Sequence, residues 1–142
     1  MNRFGWIAAL VACELLCVPI GAATRPKLIV VTRPTVVAFF PPVTDAYLSK
    51  FPDMNETLSD FENYSSEVAP KLTKAEIDFE QLSATSFAIQ DGAKIKTFRP
   101  HKSGTFGYYF VAPGKSPRVE YGVITTVDIL SVASEYFQLS LK

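Results

Sequence analysis

The first readable elements of this chain are two short apolar runs, Leu28-Ile29-Val30-Val31 and Thr35-Val36-Val37-Ala38-Phe39-Phe40. Neither alternates with polar residues, so both predict strands covered on two faces, as in α/β sheets. Arg33-Pro34 separates them, and Pro41-Pro42 ends the second because proline cannot donate to a ladder. Thr44 reads as the N-cap of a short helix over Ala46 to Phe51. Asp45 stands in its first turn, where the macrodipole favours a negative charge, and Pro52 stops it. A longer amphipathic helix is predicted from Asn55 to Val68, with Asn55 as its cap. Leu58, Phe61, Ser65 and Val68 share one stripe, and Ala69-Pro70 marks the end.

The period then changes. Lys74 to Gln81 alternates, with Ala75, Ile77 and Phe79 predicted inward and Glu76, Asp78 and Glu80 outward. Asp91-Gly92 lies between Ser86–Gln90 and Ala93–Phe98, the pattern of a two-residue hairpin; a helix over Leu82–Ile89 is the alternative. Phe106–Val111 and Arg118–Ile124, joined by Ala112-Pro113-Gly114-Lys115-Ser116-Pro117, predict a second hairpin. Thr125 or Thr126 then caps a closing helix to about Phe137, with Leu130, Ala133 and Phe137 on its buried stripe and Ile129, Val132 and Tyr136 beside them.

Residues 1–23 read as a secretory leader. Arg3 supplies the positive start, Phe4 to Ile20 the apolar stretch, and Gly21-Ala22-Ala23 the small residues a peptidase needs. Glu14 inside the apolar stretch and the basic Arg25 and Lys27 after it keep an uncleaved anchor open. Leu10-Val11-Ala12-Cys13 also fits a lipobox, which would lipidate Cys13 and tether an envelope component. Cleavage after Ala23 leaves about 119 of the 142 residues as one domain, enough for a core without disulfides or metal. It places the protein in a secreted or periplasmic compartment. The leader carries one basic and one acidic residue of the 14 and 14 in the chain, so the remainder stays neutral. Neutrality removes the field that would draw the protein to nucleic acid or to an anionic membrane. A membrane is reached only through the N-terminal segment, if it is retained or lipidated.

The order strand, strand, helix, strand, variable segment, hairpin, helix resembles a thioredoxin-like domain over about residues 28–138, a design shared by some secreted bacterial proteins. Thr35–Pro42 resembles the central strand and the loop after it, Phe106–Gly114 with Arg118–Ile124 the last two strands, and Thr126–Phe137 the closing helix. The fold this implies is α/β, a three-layer sandwich around a mixed sheet with a C-terminal β-hairpin and closing helix. The family's Cys-x-x-Cys falls at Thr44-Asp45-Ala46-Tyr47, where no sulfur exists, and thiol exchange requires sulfur. Both cysteines, Cys13 and Cys17, lie in the leader. The family's cis-proline position is taken by Thr105 or Phe106, and the hairpin over 86–98 replaces the usual second helix. The resemblance therefore implies a redox-inactive module.

Other chemistries find little support in the residues. His101 is the single histidine, so a transition-metal site lacks ligands. Glu76, Asp78 and Glu80 share a strand face and read as solvated carboxylates, with weak calcium binding as the alternative. No Gly-x-Ser-x-Gly elbow or glycine-rich phosphate loop is present, and no cofactor is expected. An enzyme of non-thiol chemistry would have to use Tyr47, Arg99 or His101. The favoured surface is instead the C-terminal end of the sheet, where open α/β sheets bind ligands. There Pro42, Thr44, Asp45, Tyr47 and Phe106 are expected to form a docking patch for a protein or peptide.

Overall fold

The computed structural model describes residues 26–101 and 105–141. The leader over 1–23, with Cys13 and its lipidation, lies outside the described residues. The elements are β1 (Lys27–Val31), β2 (Thr35–Phe40), α1 (Asp45–Lys50), α2 (Met54–Lys74), β3 (Asp78–Ser83), β4 (Phe87–Asp91), β5 (Lys94–Phe98), β6 (Gly107–Val111), β7 (Arg118–Tyr121) and α3 (Thr126–Phe137). No helix among these residues is long and apolar enough to cross a membrane.

The strands form two mixed sheets. One has the order β3-β2-β6-β7, with β2 parallel to β3 and antiparallel to β6, and β6 antiparallel to β7. The other has the order β1-β4-β5, with β1 parallel to β4 and β4 antiparallel to β5. The predicted α/β class, closing helix and C-terminal hairpin are present, but the single-sheet arrangement is corrected. β1 does not join β2. It pairs with the hairpin β4–β5, and this second sheet covers the face that a second helix layer would otherwise cover.

The pleat of β2 explains the three layers. Val36 and Ala38 face α2 and α3, where they meet Phe61, Val68, Leu72, Tyr108, Phe110, Ile129 and Ala133. Val37 and Phe39 face the second sheet, meeting Ile29, Val31, Phe87, Ile89, Tyr109 and Val111. A continuously apolar strand needs cover on both sides, and here one cover is helical and the other is a sheet. The outer face of the second sheet stays open, with Leu28, Val30 and Ile95 exposed.

Several boundaries moved for identifiable reasons. The long helix starts at Met54 after Asp53, which makes no side-chain cap bond, and it continues through Pro70 to Lys74. Pro70 is exposed, and one further turn brings Leu72 fully into the core below Val68. The helix ends in a Schellman closure: the Ile77 amide donates to Leu72 O at 3.0 Å and the Glu76 amide to Thr73 O at 3.0 Å. Glu76 therefore holds the left-handed position, at φ 61°, that glycine usually occupies. Ala75 and Glu76 thus belong to a turn, not to the alternating strand expected there. Glu76→Gly is expected to stabilise the protein by about 0.5–1 kcal/mol, since a left-handed L-residue costs about 1–2 kcal/mol. A raised urea midpoint at unchanged m-value would show it.

Tyr108 is wholly buried between β6 and α2, with its hydroxyl 3.4 Å from the Ser65 hydroxyl. Burial pushes its phenol up to about 12. Burial also raises Tyr109 and Tyr136. The native state thus holds this proton more tightly than the unfolded chain, whose tyrosines titrate near about 10. The contribution is complete below about pH 10 and is lost as pH rises towards about 12, which for Tyr108 amounts to about 2–3 kcal/mol. Urea midpoints taken from pH 8 upwards should fall beyond about pH 10. They should fall less steeply in Tyr108→Phe.

Candidate functional site

The sheet's C-terminal end is built from the loop after β2. Phe40 closes the strand, Pro41 is buried and Pro42 is exposed. Pro42 lines an open hollow of about 360 Å³ with Leu82, Ser83, Ala84, Thr85 and Ser86, whose floor is fixed by the Ala84 amide donating to Phe40 O at 3.0 Å. Thr44 caps α1 as its sequence position predicted: its Oγ1 accepts from the Tyr47 amide at 3.2 Å. Asp45 is exposed in the first turn of α1.

Tyr47, half-buried on α1, begins the aromatic surface. Its ring lies 5.0 Å from that of Phe51, one turn later, and Phe51 is 52 % exposed. The helix buries none of its residues. Phe51 was not among the residues singled out from the sequence. The signal was available in the i, i+4 spacing to Tyr47 between Pro42 and Pro52. Asp45, Asp53 and Glu56, close to the two rings in sequence, are exposed, and none of them takes part in an ion pair among the described residues.

Phe106 belongs elsewhere. It is 5 % exposed and packs into the helix-side core, 5.2 Å from the Phe61 ring and stacked on Phe40 at 6.3 Å. Its amide segment terminates the sheet, with the Gly122 amide donating to Phe106 O at 2.7 Å. Phe106 is therefore a core residue, and it does not contribute to an exposed patch. A phenylalanine beside a buried glycine strand takes the dry side of the pleat, and pattern alone could not place it relative to α2.

The three polar residues considered for non-thiol catalysis are not assembled with one another. His101 is exposed and meets the Tyr121 ring edge-on at 4.1 Å, whereas Tyr47 meets Phe51. No hydrogen bond or ion pair joins Tyr47, Arg99 and His101 among the described residues. The carboxylates of β3 do not converge either. Glu80 is ion-paired with Lys27, Asp78 with Arg33 (Nε to Oδ1 2.8 Å), and Glu76 has left the strand. The Arg33 hydrogen bond holds the Asp78 carboxyl below its usual range. These pairs lace β1 and the β1–β2 turn to β3 at the rim between the sheets, a structural use of residues read from the sequence as merely solvated. No group of three or more metal-ligating side chains occurs among the described residues.

On the far side, Arg118 bonds Glu120 at 2.7 Å and Glu135 at 2.8 Å, and Thr126 donates to Glu67 at 2.7 Å. These contacts fix α3 against β7 and α2, which leaves α1 as the helix with a free apolar side. Comparison with protein-family models, with curated proteins and with solved structures finds no match for this chain.

Proposed function

We propose that this chain is an exported, redox-inactive thioredoxin-like module that binds an extended segment of a partner protein through α1. The observation that carries this reading is the Tyr47–Phe51 ring pair, with Phe51 exposed and Tyr47 half-buried, on a helix none of whose residues is fully buried. Aromatic side chains expend little conformational entropy on binding and give much contact area, so such a pair is a natural anchor. The exposed Asp45, Asp53 and Glu56 on and beside α1, outside any ion pair among the described residues, favour a segment that carries a basic residue beside its apolar ones.

The thioredoxin-like part of the reading is supported by the β3-β2-β6-β7 order, by the helix capped at Thr44 after the central strand, and by α3 closing over the last hairpin. Export is supported by the leader pattern over 1–23, and sequencing the N-terminus of the secreted form would test it. Without cysteine after position 17, the position-equivalent Thr44 and Tyr47 can cap and pack but cannot exchange disulfides.

The test is selection of binders from a random peptide display library on the full chain. Enriched peptides should combine aromatic or proline residues with Lys or Arg. Tyr47→Ala and Phe51→Ala should each weaken their binding about tenfold or more, near 1.4 kcal/mol, with little change in melting temperature. Full affinity in the double variant would remove α1 as the surface.

A further inference from the structure

The gap between the two sheets opens at one end into a cavity of about 200 Å³, and its charge is unbalanced. The pleat of β5 places Lys94 and Lys96 on the inner face of the second sheet, opposite Asp91 and Ile89 in register. The middle of that face is apolar, with Ile29, Val31, Phe87 and Ile89, and Lys27 at its opposite end is ion-paired with Glu80. Lys94 and Lys96 are exposed at the mouth of this gap, two residues apart on one strand face, so an anion there would meet two ammonium groups with an apolar wall beside them.

The neighbouring charges are already committed. Asp91 accepts the Gly114 amide at 2.8 Å, which ties the β4–β5 hairpin to the β6–β7 turn. Lys115 donates to the Tyr136 carbonyl and lies 4.3 Å from the centre of that ring. Three lysines against one aspartate line the cavity, and neither Lys94 nor Lys96 has an acceptor among the described residues. Tyr109 and Ser116 add hydroxyls to the lining; Ile89 and Pro117 add apolar wall. Burial raises the Tyr109 phenol, so it remains a proton donor across the physiological range.

The geometry points to a binding site for a small organic anion, a compact phosphate or carboxylate head on an apolar body, with Lys96 and Lys94 as its cationic contacts and the Ile89–Pro117 wall against its body. This site is separate from α1 and does not depend on the peptide reading. Inward lysines on an edge strand also deter strand pairing between molecules, and the experiment must separate the two roles.

Phenyl phosphate and benzoate, each with inorganic phosphate for comparison, would be titrated into the full chain by calorimetry at fixed ionic strength. Fixed ionic strength and the inorganic control remove the general stabilisation that phosphate gives any protein. Saturable binding of at least one organic probe is expected, weakened about tenfold or more by Lys96→Gln and unchanged by Lys71→Gln on α2. Equal binding by wild type and Lys96→Gln, or no saturable binding by either probe, would overturn the site. Self-association of Lys96→Gln without a change in probe affinity would do the same, and would assign the lysines to edge protection.

Discussion

Phe61→Ala is expected to remove about 3–5 kcal/mol of stability and to lower the melting temperature on the order of 10–20 °C. Phe61 is fully buried on α2 and touches three other aromatic rings: Phe106 and Tyr108 at 5.2 Å each and Phe40 at 5.6 Å. These rings come from the end of β2 (Phe40), the residue before β6 (Phe106) and β6 itself (Tyr108). Truncation leaves a cavity that neither sheet nor helix can close, because β2 is pinned from its other face by the second sheet. Phe61→Leu keeps most of the volume and should recover much of the loss. The contrasting substitution is Phe51→Ala, where an exposed ring is removed and the change should stay within about 0.5 kcal/mol. Chemical denaturation of the two variants side by side would separate core from surface. A small effect at Phe61 would mean that α2 does not pack on the sheet as described.

Gly107→Ala should be nearly as costly, at least about 2 kcal/mol, for the opposite reason. Gly107 opens β6 between Phe39 on β2 and Tyr121 on β7. A methyl group there would stand 2.6 Å from the Glu120 carbonyl oxygen and 2.6 Å from the Phe39 ring. The ring could swing aside only by disturbing Phe98 and Phe87, at 5.2 and 6.0 Å. The carbonyl is part of the β6–β7 ladder and cannot move without breaking it. Phe39→Leu combined with Gly107→Ala should therefore fail to restore stability, since it relieves one obstruction and leaves the other. Recovery in the double variant, measured by urea denaturation, would show that the ring alone is the obstacle.

The two substitutions also show what was legible in the residues. β2, the β4–β5 and β6–β7 hairpins, the Thr44 cap and α3 follow from signals that act within a few residues: prolines, Asp-Gly, a threonine before a helical stripe. The end of α2 was misread because two local rules were outweighed. Proline at position 70 ordinarily marks a boundary, and a left-handed closure ordinarily carries glycine. Burial of Leu72 and Ile77 held the helix through the first and imposed the second on Glu76. Phe106 reads as a surface residue because its predicted strand starts at the C-terminal end of the sheet, where ligands bind, while its neighbours in space are Phe40 and Phe61.

Local order along the chain was enough to establish an α/β protein without a thiol after position 17, with a capped short helix after the central strand. The partnering of strands was not readable in that way. An apolar run such as Leu28–Val31 satisfies either sheet equally well, since hydrophobic burial has no direction and any apolar face will serve. The choice of β4 over β2 as its partner arose from contacts distant in sequence, and it turned one sheet into two. That choice also created the inner face on which Lys94 and Lys96 stand, while the burial of Phe106 left the half-buried Tyr47 and the exposed Phe51 as the aromatic pair at α1.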